Sequence, residues 1–300
     1  DDIGQTGGKP AMSLVGRVGA YIRMTKPKLW WLLCLVAIAA MTLAAGPNVR
    51  IETLVATVAG GVLAIGASGT FNNIIERDVD QKMKRTDDRP LVEGVIPVER
   101  ALAFGIGLAI AAVAVFLTFV NVLAAMLGLM AILFYSVVYT IILKPNTPQN
   151  IVIGGAVGGF PALIGWAAVE NAIGIPAVVL GGVIFLWTPA HFYNLALAYR
   201  EDYDRADIPM LPVVRGSSVT LRHILLYLGA TMIGAVLLGT ATRLGWVYAG
   251  IAVTMAAVFL WTVVRLYYEQ TKSAAFRAFH ASNAYLGAIL LAIVIDTLVI

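Results

Sequence analysis

The chain has 300 residues, of which 60% are hydrophobic and 13% are charged, and its mean hydropathy is +0.85. About a quarter of the residues of a soluble domain are charged, so the composition excludes a soluble protein and indicates an integral membrane protein. The net charge of +4 reflects membrane topology, agrees with an anionic substrate, and does not indicate nucleic-acid binding. The single cysteine, Cys34, excludes an intrachain disulfide and a cysteine-based metal site.

Nine apolar runs are long enough to cross a bilayer, which takes about 20 helical residues. A spanning segment must satisfy its own backbone hydrogen bonds, so each run is predicted to be helical. The predicted fold class is an all-α integral membrane protein with nine transmembrane helices. Residues 1–12 are predicted to be disordered, and residues 13–300 to form a single transmembrane domain. The predicted spans are roughly 29–46, 53–75, 100–119, 122–143, 151–169, 173–198, 219–241, 245–264 and 278–298.

Basic residues are concentrated in alternate loops. All lysines and arginines except Arg50 and Arg243 lie on one side of the membrane if the N-terminus is cytoplasmic. This asymmetry predicts cytoplasmic acidic loops and an external C-terminus. The expected location is the plasma membrane of a prokaryote. Residues 17–30, which include Lys26, are predicted to anchor the first span at the headgroup level, with its first helical turn at Pro27.

The most charged run, residues 71–90, begins where the second span ends. Its Asn72, Glu76 and Asp80 are four residues apart, so on a helix successive side chains are offset by about 40° and share one face. Carboxylate and amide oxygens hold Mg2+, while basic side chains bind phosphate oxygens. The run therefore predicts a site for a divalent cation and a polyphosphate. A solvated loop would explain the basic residues but not acids at membrane depth. The basic residues assigned to phosphate are Lys84, Arg85 and Arg89.

A second acidic stretch, residues 199–207, follows the sixth span on the same side of the membrane. Each stretch comes after an even-numbered span, and each has an asparagine upstream of its acids, Asn72 or Asn194. This relation suggests two four-helix repeats followed by a ninth helix, with the site at the repeat interface. The two acidic stretches are predicted to face each other across one active site.

Glycine, proline and histidine interrupt the fifth and sixth spans. Residues 154–166 combine a glycine face with Pro161, which close helix packing and room for a broad, flat ligand explain equally well. Pro189 predicts a kink in the sixth span. His191 lies just beyond it, and packing and a functional role are both open for this residue. Asp296 in the ninth span has no predicted partner.

Five segments carry a resemblance to a known family: Thr25–Pro27, Asn72–Pro90, Gly165–Ala168, Leu186–Phe192 and Ile208–Val214. Together they resemble the intramembrane (UbiA-type) prenyltransferase superfamily, and within it the branch that farnesylates haem b. The resemblance covers about residues 20–300. The sequence departs from the family pattern at three positions, which are Glu76 for Asp, Ala190 for Pro, and Asp207 for a small residue.

The resemblance implies a nine-helix prenyltransferase domain over residues 13–300. It implies transfer of the farnesyl group of farnesyl diphosphate to a vinyl group of haem b with addition of water, giving haem O and pyrophosphate. The implied partners are these two substrates, membrane lipids and other membrane proteins of haem synthesis. The implied cofactor is Mg2+, held by Asn72, Glu76, Asp80 and Asp202.

The resemblance also implies roles for the residues around the metal. Lys84, Arg85 and Arg89 would bind the diphosphate. Ring faces could stabilise an allylic cation, and His191 would contact the haem at its edge or through its iron. The implied aromatic residues of the substrate cavity are Trp166, Trp187, Phe192, Tyr193 and Tyr199, and the acids that would support the metal ligands are Asp78, Glu201 and Asp204.

Two alternatives remain open from the sequence. A sister enzyme would prenylate a quinone precursor or another lipid acceptor, against which segments 186–192 and 208–214 argue. A transporter built on inverted repeats would also place buried acids at a repeat interface. An odd number of helices and two acidic clusters on one face argue against transport.

Overall fold

The computed structural model describes residues 13–299. It confirms the predicted all-α membrane fold, because the described residues contain nine helices long and apolar enough to span a membrane and no strand. The predicted disordered segment, residues 1–12, lies outside the described residues. Spans 1 to 9 are, in order, Pro27–Asn48, Ile51–Ile75, Val98–Phe119, Val122–Asn146, Asn150–Glu170, Ile175–Ala198, Gly216–Thr242, Trp246–Glu269 and Lys272–Val299.

Four short helices lie outside the spans. The first precedes span 1, and its N-terminus is capped by Ser13, whose side chain accepts a hydrogen bond from the Gly16 N–H at 3.2 Å. The second continues from span 2, and the last two lie between spans 6 and 7. The connections after spans 2 and 6 therefore carry helical structure into both acidic stretches. The four helices are Leu14–Met24, Arg77–Asp80, Arg200–Arg205 and Leu211–Val214.

Spans 4 and 5 change helix type along their length. In span 4 the segment Phe134–Leu143 is a π-helix. In span 5 a 3₁₀ segment, Gly155–Gly159, precedes the α-helix Phe160–Glu170. Proline has no N–H to donate and is tolerated in a first turn, so Pro161 fits the restart of this helix. Span 6, by contrast, continues as one helix through Pro189.

The spans form a closed bundle. Each span packs against the next, span 9 returns to span 1, and further contacts join span 1 to span 5 and span 6 to span 9. Half of the most apolar window of spans 5, 6 and 9 is buried, against 17% in span 3. Span 3 instead exposes Leu102, Ile106 and Ile110 at helical spacing, which is the pattern of a lipid-facing surface. Spans 5, 6 and 9 are therefore the inner helices that position the site.

Gly165 allows spans 1 and 5 to touch through their backbones. A Cβ atom at this position would lie 2.2 Å from the Ala37 carbonyl oxygen. Small residues permit this close approach of helices in lipid. Part of the glycine-rich face therefore serves helix packing, whereas Gly154, Gly155 and Gly158 line a cavity described below.

Replacing Gly165 by Ala is expected to lower the free energy of unfolding by about 1–3 kcal/mol, because the added methyl group must push two backbones apart. Thermal unfolding of the purified protein measures this change. Gly107→Ala is the matched control, since nothing lies within 4 Å of the added Cβ and alanine is the better helix former. Equal melting temperatures for the two variants would contradict the backbone contact.

Asp296 has a structural role that the sequence did not explain. Its side chain is buried, and Oδ2 accepts a hydrogen bond from the Tyr248 N–H at 3.0 Å. Tyr248 is in the first turn of span 8, where backbone N–H groups have no partner within the helix. Its hydroxyl donates to the Ala235 carbonyl at 2.8 Å. Asp296 thus caps span 8 from span 9, and Tyr248 extends the connection to span 7.

Candidate active site

A cavity of about 920 Å³ lies inside the bundle, and we call it the main cavity. Spans 1, 2, 5, 6 and 9 contribute most of its apolar wall, and the ends of spans 2 and 4 contribute a polar end. Its volume is at the upper end of the range for small-molecule sites, about 300–1,000 Å³. The charged and amide side chains that line the polar end include Lys26, Asn72, Glu76, Arg85, Arg89 and Lys144.

Asn72, Glu76 and Asp80 lie on one buried helical face. The α-helix of span 2 ends at Ile75, and a short helix begins at Arg77. The four-residue hydrogen bonding continues across this boundary, because the Glu76 N–H donates to the Asn72 carbonyl at 2.9 Å and the Asp80 N–H to the Glu76 carbonyl at 2.7 Å. The three side chains are therefore brought together as the spacing predicts. Each of these residues is at most 6% exposed.

A basic side chain contacts each of these three groups. Lys144 Nζ lies 2.5 Å from Glu76 Oε1, and Lys26 Nζ donates to Asn72 Oδ1 at 2.5 Å. Arg89 pairs with Asp80 and lies 3.9 Å from Glu76 Oε2. Asp80 is not among the residues that line the main cavity. The lining cations, which also include Arg85, outnumber the lining acids Glu76 and Asp88. This excess of positive charge is suited to an anionic ligand such as a diphosphate.

Burial and neighbouring charges shift the pKa values of Glu76 and Asp80 in opposite directions. Burial disfavours the charged form of Glu76, but Lys144, Lys26 and Arg89 outweigh it and lower the pKa of this carboxyl. Burial prevails at Asp80 and raises its pKa despite Arg89. At Lys26, burial and then the charge of Arg89 lower the pKa to about 7. An anion bound beside Lys26 would favour its charged form.

Lys26 and Lys144 are site residues that the sequence did not assign to the site. Lys26 was predicted to anchor the chain at the headgroup level, but its backbone is left-handed, with φ 54°, and its side chain reaches Asn72. Lys144 was used only for topology. A following proline favours an extended backbone, but Lys26 is left-handed and Lys144 is right-handed helical, so Pro27 and Pro145 are not a signal for either contact.

Arg85 and Lys84, which were both predicted to bind the diphosphate, lie in different environments. Arg85 lines the main cavity, and its Nε is buried without a hydrogen-bond partner. Its guanidinium group lies over the rings of Tyr199 and Tyr203, at 5.4 and 6.0 Å. A buried donor without a partner is costly, so Arg85 is suited to receive a ligand oxygen. Lys84 is exposed and is not among the residues that line the cavity.

The structure joins the two acidic stretches at their surfaces. Lys82 Nζ lies 3.4 Å from Asp207 Oδ2, and Arg205 Nη1 donates to the Lys82 carbonyl at 3.4 Å. Asp78 is exposed and pairs with Arg77 at 3.1 Å. The predicted proximity of the two loops is therefore present, but Asp78 points away from the buried face.

Asp202 lies in a second, smaller cavity of about 430 Å³. Its carboxylate pairs with Arg205 at 3.2 Å, and Glu201 and Asp204 line the same small cavity. The residue of this stretch that lines the main cavity is Tyr203. Within residues 13–299, no three His, Cys, Asp or Glu side chains come together as a metal site. The structure thus brings Asn72, Glu76 and Asp80 together without Asp202.

Only some of the aromatic residues predicted for the substrate cavity line the main cavity. Trp187, His191 and Phe192 line the main cavity. Trp166 packs against Gly174, where a Cβ would lie 2.4 Å from its indole. Tyr193 is fully buried, and Tyr199 lines the small cavity. Trp166, Tyr193 and Tyr199 are therefore not among the residues that line the main cavity.

Span 9 supplies lining residues that the sequence did not assign. Phe279, His280 and Asn283 line the main cavity, and the Phe279 ring stacks on His191 with 4.4 Å between centroids. The sequence assigned none of these three residues to the site. These residues reach the site because span 9 packs against spans 1 and 6. No local sequence pattern predicts this long-range contact.

The donor set at the polar end fits Mg2+. Two carboxylates and one amide oxygen share a face, and a lining arginine has a free donor. Mg2+ in phosphate-binding sites takes one or two protein carboxylates and completes its shell with water and phosphate oxygens. Glu76, which lines the main cavity, and Asp80, which lies beside it on the same helical face, supply two such carboxylates without a third acid. The arrangement is suited to binding an anionic diphosphate beside an apolar cavity.

Comparisons with known proteins identify the family of this chain. The model of the UbiA prenyltransferase family matches residues 32–286. A protein named Protoheme IX farnesyltransferase from Haloarcula marismortui is 60% identical over 95% of this chain, which spans 61% of that protein. One of the same name from Leifsonia xyli is 45% identical over 95% of each chain. The structure of a UbiA homolog from Archaeoglobus fulgidus bound to DMAPP and Mg2+ shares the fold, with a TM-score of 0.65 and 17% identity over 91% of this chain and 99% of that chain.

Proposed function

This chain belongs to the UbiA prenyltransferase family, and from that premise we propose that it transfers the farnesyl group of farnesyl diphosphate to a vinyl group of haem b. Water supplies a hydroxyl group, and the products are haem O and pyrophosphate. The observation that carries the proposal is the buried cluster of cations and acids at one end of a large apolar cavity. The names of the two relatives support haem b as the acceptor.

We propose Asn72, Glu76 and Asp80 as the Mg2+ ligands. When bound, the ion neutralises charge on the leaving diphosphate. The Mg2+ bound to the Archaeoglobus fulgidus homolog supports the choice of ion, and the shared buried face of the three side chains supports the choice of ligands. Asp202 stays a prediction as a fourth ligand, because its carboxylate pairs with Arg205 in the small cavity.

The basic side chains act on the same diphosphate. Lys26, Arg85, Arg89 and Lys144 are held by burial and by their acidic or aromatic neighbours before a ligand arrives. Preorganised charges of this kind stabilise negative charge that develops on a leaving group, because they need little rearrangement during the reaction. Pyrophosphate is therefore proposed to leave into this cluster. Lys84, which is exposed, has no contact that supports its predicted role.

The apolar wall serves the other half of the reaction. It excludes water from the allylic cation until the vinyl carbon reaches it. Trp187 and Phe192 present aromatic rings in this part of the cavity, and ring faces attract positive charge. His191 lines the same region and is proposed to contact the haem. The cavity is proposed to admit the lipid-soluble farnesyl tail sideways from the membrane, with the two acidic loops on the cytoplasmic side.

Removal of divalent metal is expected to slow farnesyl transfer more than about 100-fold, because metal stabilisation of a leaving phosphate contributes several kcal/mol. The rate is measured with purified protein before and after chelation, and again after adding Mg2+ back. Circular dichroism of the chelated protein controls for loss of fold. Full activity in excess chelator would contradict the magnesium site.

Pigment analysis tests the choice of acceptor. Membranes from cells that make this chain and lack their own haem farnesylation are extracted, and the haems are separated by chromatography. Conversion of haem b to haem O is expected, and it should fail with Glu76→Gln. Unchanged haem b together with a prenylated quinone precursor would assign the chain to the sister activity instead.

A further inference from the structure

The imidazole of His191 is fixed on three sides. Its ring stacks on Trp187 with 4.2 Å between centroids and on Phe279 with 4.4 Å. Its Nδ1 lies 2.6 Å from the Ser282 hydroxyl oxygen. The Trp187 indole N–H donates to the Ser282 carbonyl at 3.0 Å. Spans 6 and 9 therefore hold this ring as a rigid unit at the wall of the main cavity.

The serine hydroxyl determines which ring nitrogen carries the proton. Ser282 Oγ lies 2.6 Å from the Phe279 carbonyl oxygen, and a carbonyl can only accept. The single hydroxyl hydrogen therefore points to Phe279, since two oxygens this close need a hydrogen between them. Ser282 Oγ is then an acceptor towards His191, and Nδ1 must be the donor. The neutral ring consequently has its free lone pair on Nε2.

The Nε2 atom has no competing partner. His191 lines the main cavity, and among residues 13–299 the hydrogen bond of its ring runs through Nδ1. A neutral imidazole with one fixed N–H and one bare nitrogen is the arrangement found in metal-ligating histidines, whose other N–H is held by an oxygen.

We propose that Ser282 is a positioning residue that fixes His191 as the Nδ1–H tautomer, so that Nε2 ligates the iron of the haem substrate. This inference deepens the proposed function and rests on it. Ligation through Nε2 holds the porphyrin at the Trp187 and Phe279 end of the cavity. It gives the site a means to prefer an iron porphyrin over a flat aromatic acceptor without iron.

The first test reads the tautomer without any substrate. The chain contains three histidines, so nitrogen NMR of protein labelled with 15N-histidine is simple to assign, with His191→Ala identifying the signal. The wild type is expected to show a protonated Nδ1 and a bare Nε2. Ser282→Ala is expected to mix the tautomers, whereas Ser282→Thr, which keeps the hydroxyl, retains the wild-type signal. A protonated Nε2 in the wild type would overturn the proposal.

The second test compares haem b with metal-free protoporphyrin IX, which has the same ring, vinyl groups and propionates. The purified full chain in lipid nanodiscs is expected to bind haem b more tightly than protoporphyrin IX. Ser282→Ala should lower haem affinity about 10- to 100-fold, the usual effect of losing a partner of a metal-ligating histidine. Its affinity for protoporphyrin IX should stay unchanged. Ser136→Ala, a buried serine whose hydroxyl has no partner, controls for the loss of a hydroxyl.

The outcomes separate this inference from the proposed function. Farnesylation of haem b together with equal affinities for haem b and protoporphyrin IX would overturn iron ligation and leave the proposed function standing. Tight, Ser282-dependent binding of haem b without farnesylation would support iron ligation and contradict the proposed function. An unchanged absorption spectrum of bound haem in His191→Ala would also overturn the ligand assignment.

Discussion

Glu76→Gln is expected to reduce farnesyl transfer by about two to three orders of magnitude, the loss typical of removing one preorganised charged contact to a transition state. The substitution keeps the shape of the side chain but removes the carboxylate. In the native protein this carboxylate contacts Lys144 at 2.5 Å and faces Arg89 at 3.9 Å. Its loss therefore weakens Mg2+ binding and leaves both cations without their buried partner. Pyrophosphate release by the purified variant measures the effect.

Asp87→Asn is the matched control for this prediction. It removes a carboxylate from the same loop, but Asp87 is exposed and none of the ion pairs of the site involves it. Its rate is expected to stay within about twofold of the wild type, as for a surface charge. A normal rate with Glu76→Gln, measured at saturating Mg2+, would remove Glu76 from the proposed metal site.

Arg89→Ala is expected to cost both stability and activity. Arg89 pairs with Asp80, whose side chain is 2% exposed, and it is itself 17% exposed. Breaking a buried pair by removing one partner costs about 3–5 kcal/mol, because a charge is left uncompensated. Denaturant unfolding measures this loss. Farnesyl transfer should fall by at least about 100-fold, because the diphosphate loses a preorganised cation.

Two further variants separate the stability effect from the catalytic effect. Arg89→Ala combined with Asp80→Ala removes both charges and is expected to recover stability without recovering activity. Arg77→Ala removes an arginine whose partner Asp78 is 84% exposed, and such surface pairs contribute about 0–1 kcal/mol. Wild-type transfer in a stable Arg89→Ala protein would show that Arg89 only supports the fold.

The sequence predicted the features that depend on local pattern. The lengths of the apolar runs predicted all nine spans, because a segment that crosses the lipid must satisfy its own backbone hydrogen bonds and is therefore helical. The four-residue spacing placed Asn72, Glu76 and Asp80 on one face, because helical hydrogen bonding continues past the end of span 2. Pro161 was predicted to interrupt the fifth span, and the helix type changes directly before it, from the 3₁₀ segment Gly155–Gly159 to the α-helix Phe160–Glu170. Each of these follows from residues close together in the chain.

Features that depend on long-range packing could not be predicted from the sequence. Lys26 turns inward through a left-handed backbone, whereas a basic residue before a span normally faces the headgroups. Lys144 reaches Glu76 from span 4, and Ser282 reaches His191 from span 9. Asp202 is carried by a separate short helix that turns its carboxylate towards Arg205. Only the closed bundle determines these contacts, and nothing local in the sequence encodes them.

The pairing of a diphosphate site with a haem acceptor is tested most directly by one reaction. The purified chain in lipid nanodiscs is given farnesyl diphosphate, Mg2+ and haem b, and pyrophosphate and haem products are quantified together by mass spectrometry. We expect equal amounts of pyrophosphate and haem O, with little pyrophosphate when haem b is omitted. Pyrophosphate release that is independent of haem b, with the haem recovered unchanged, would contradict the assignment.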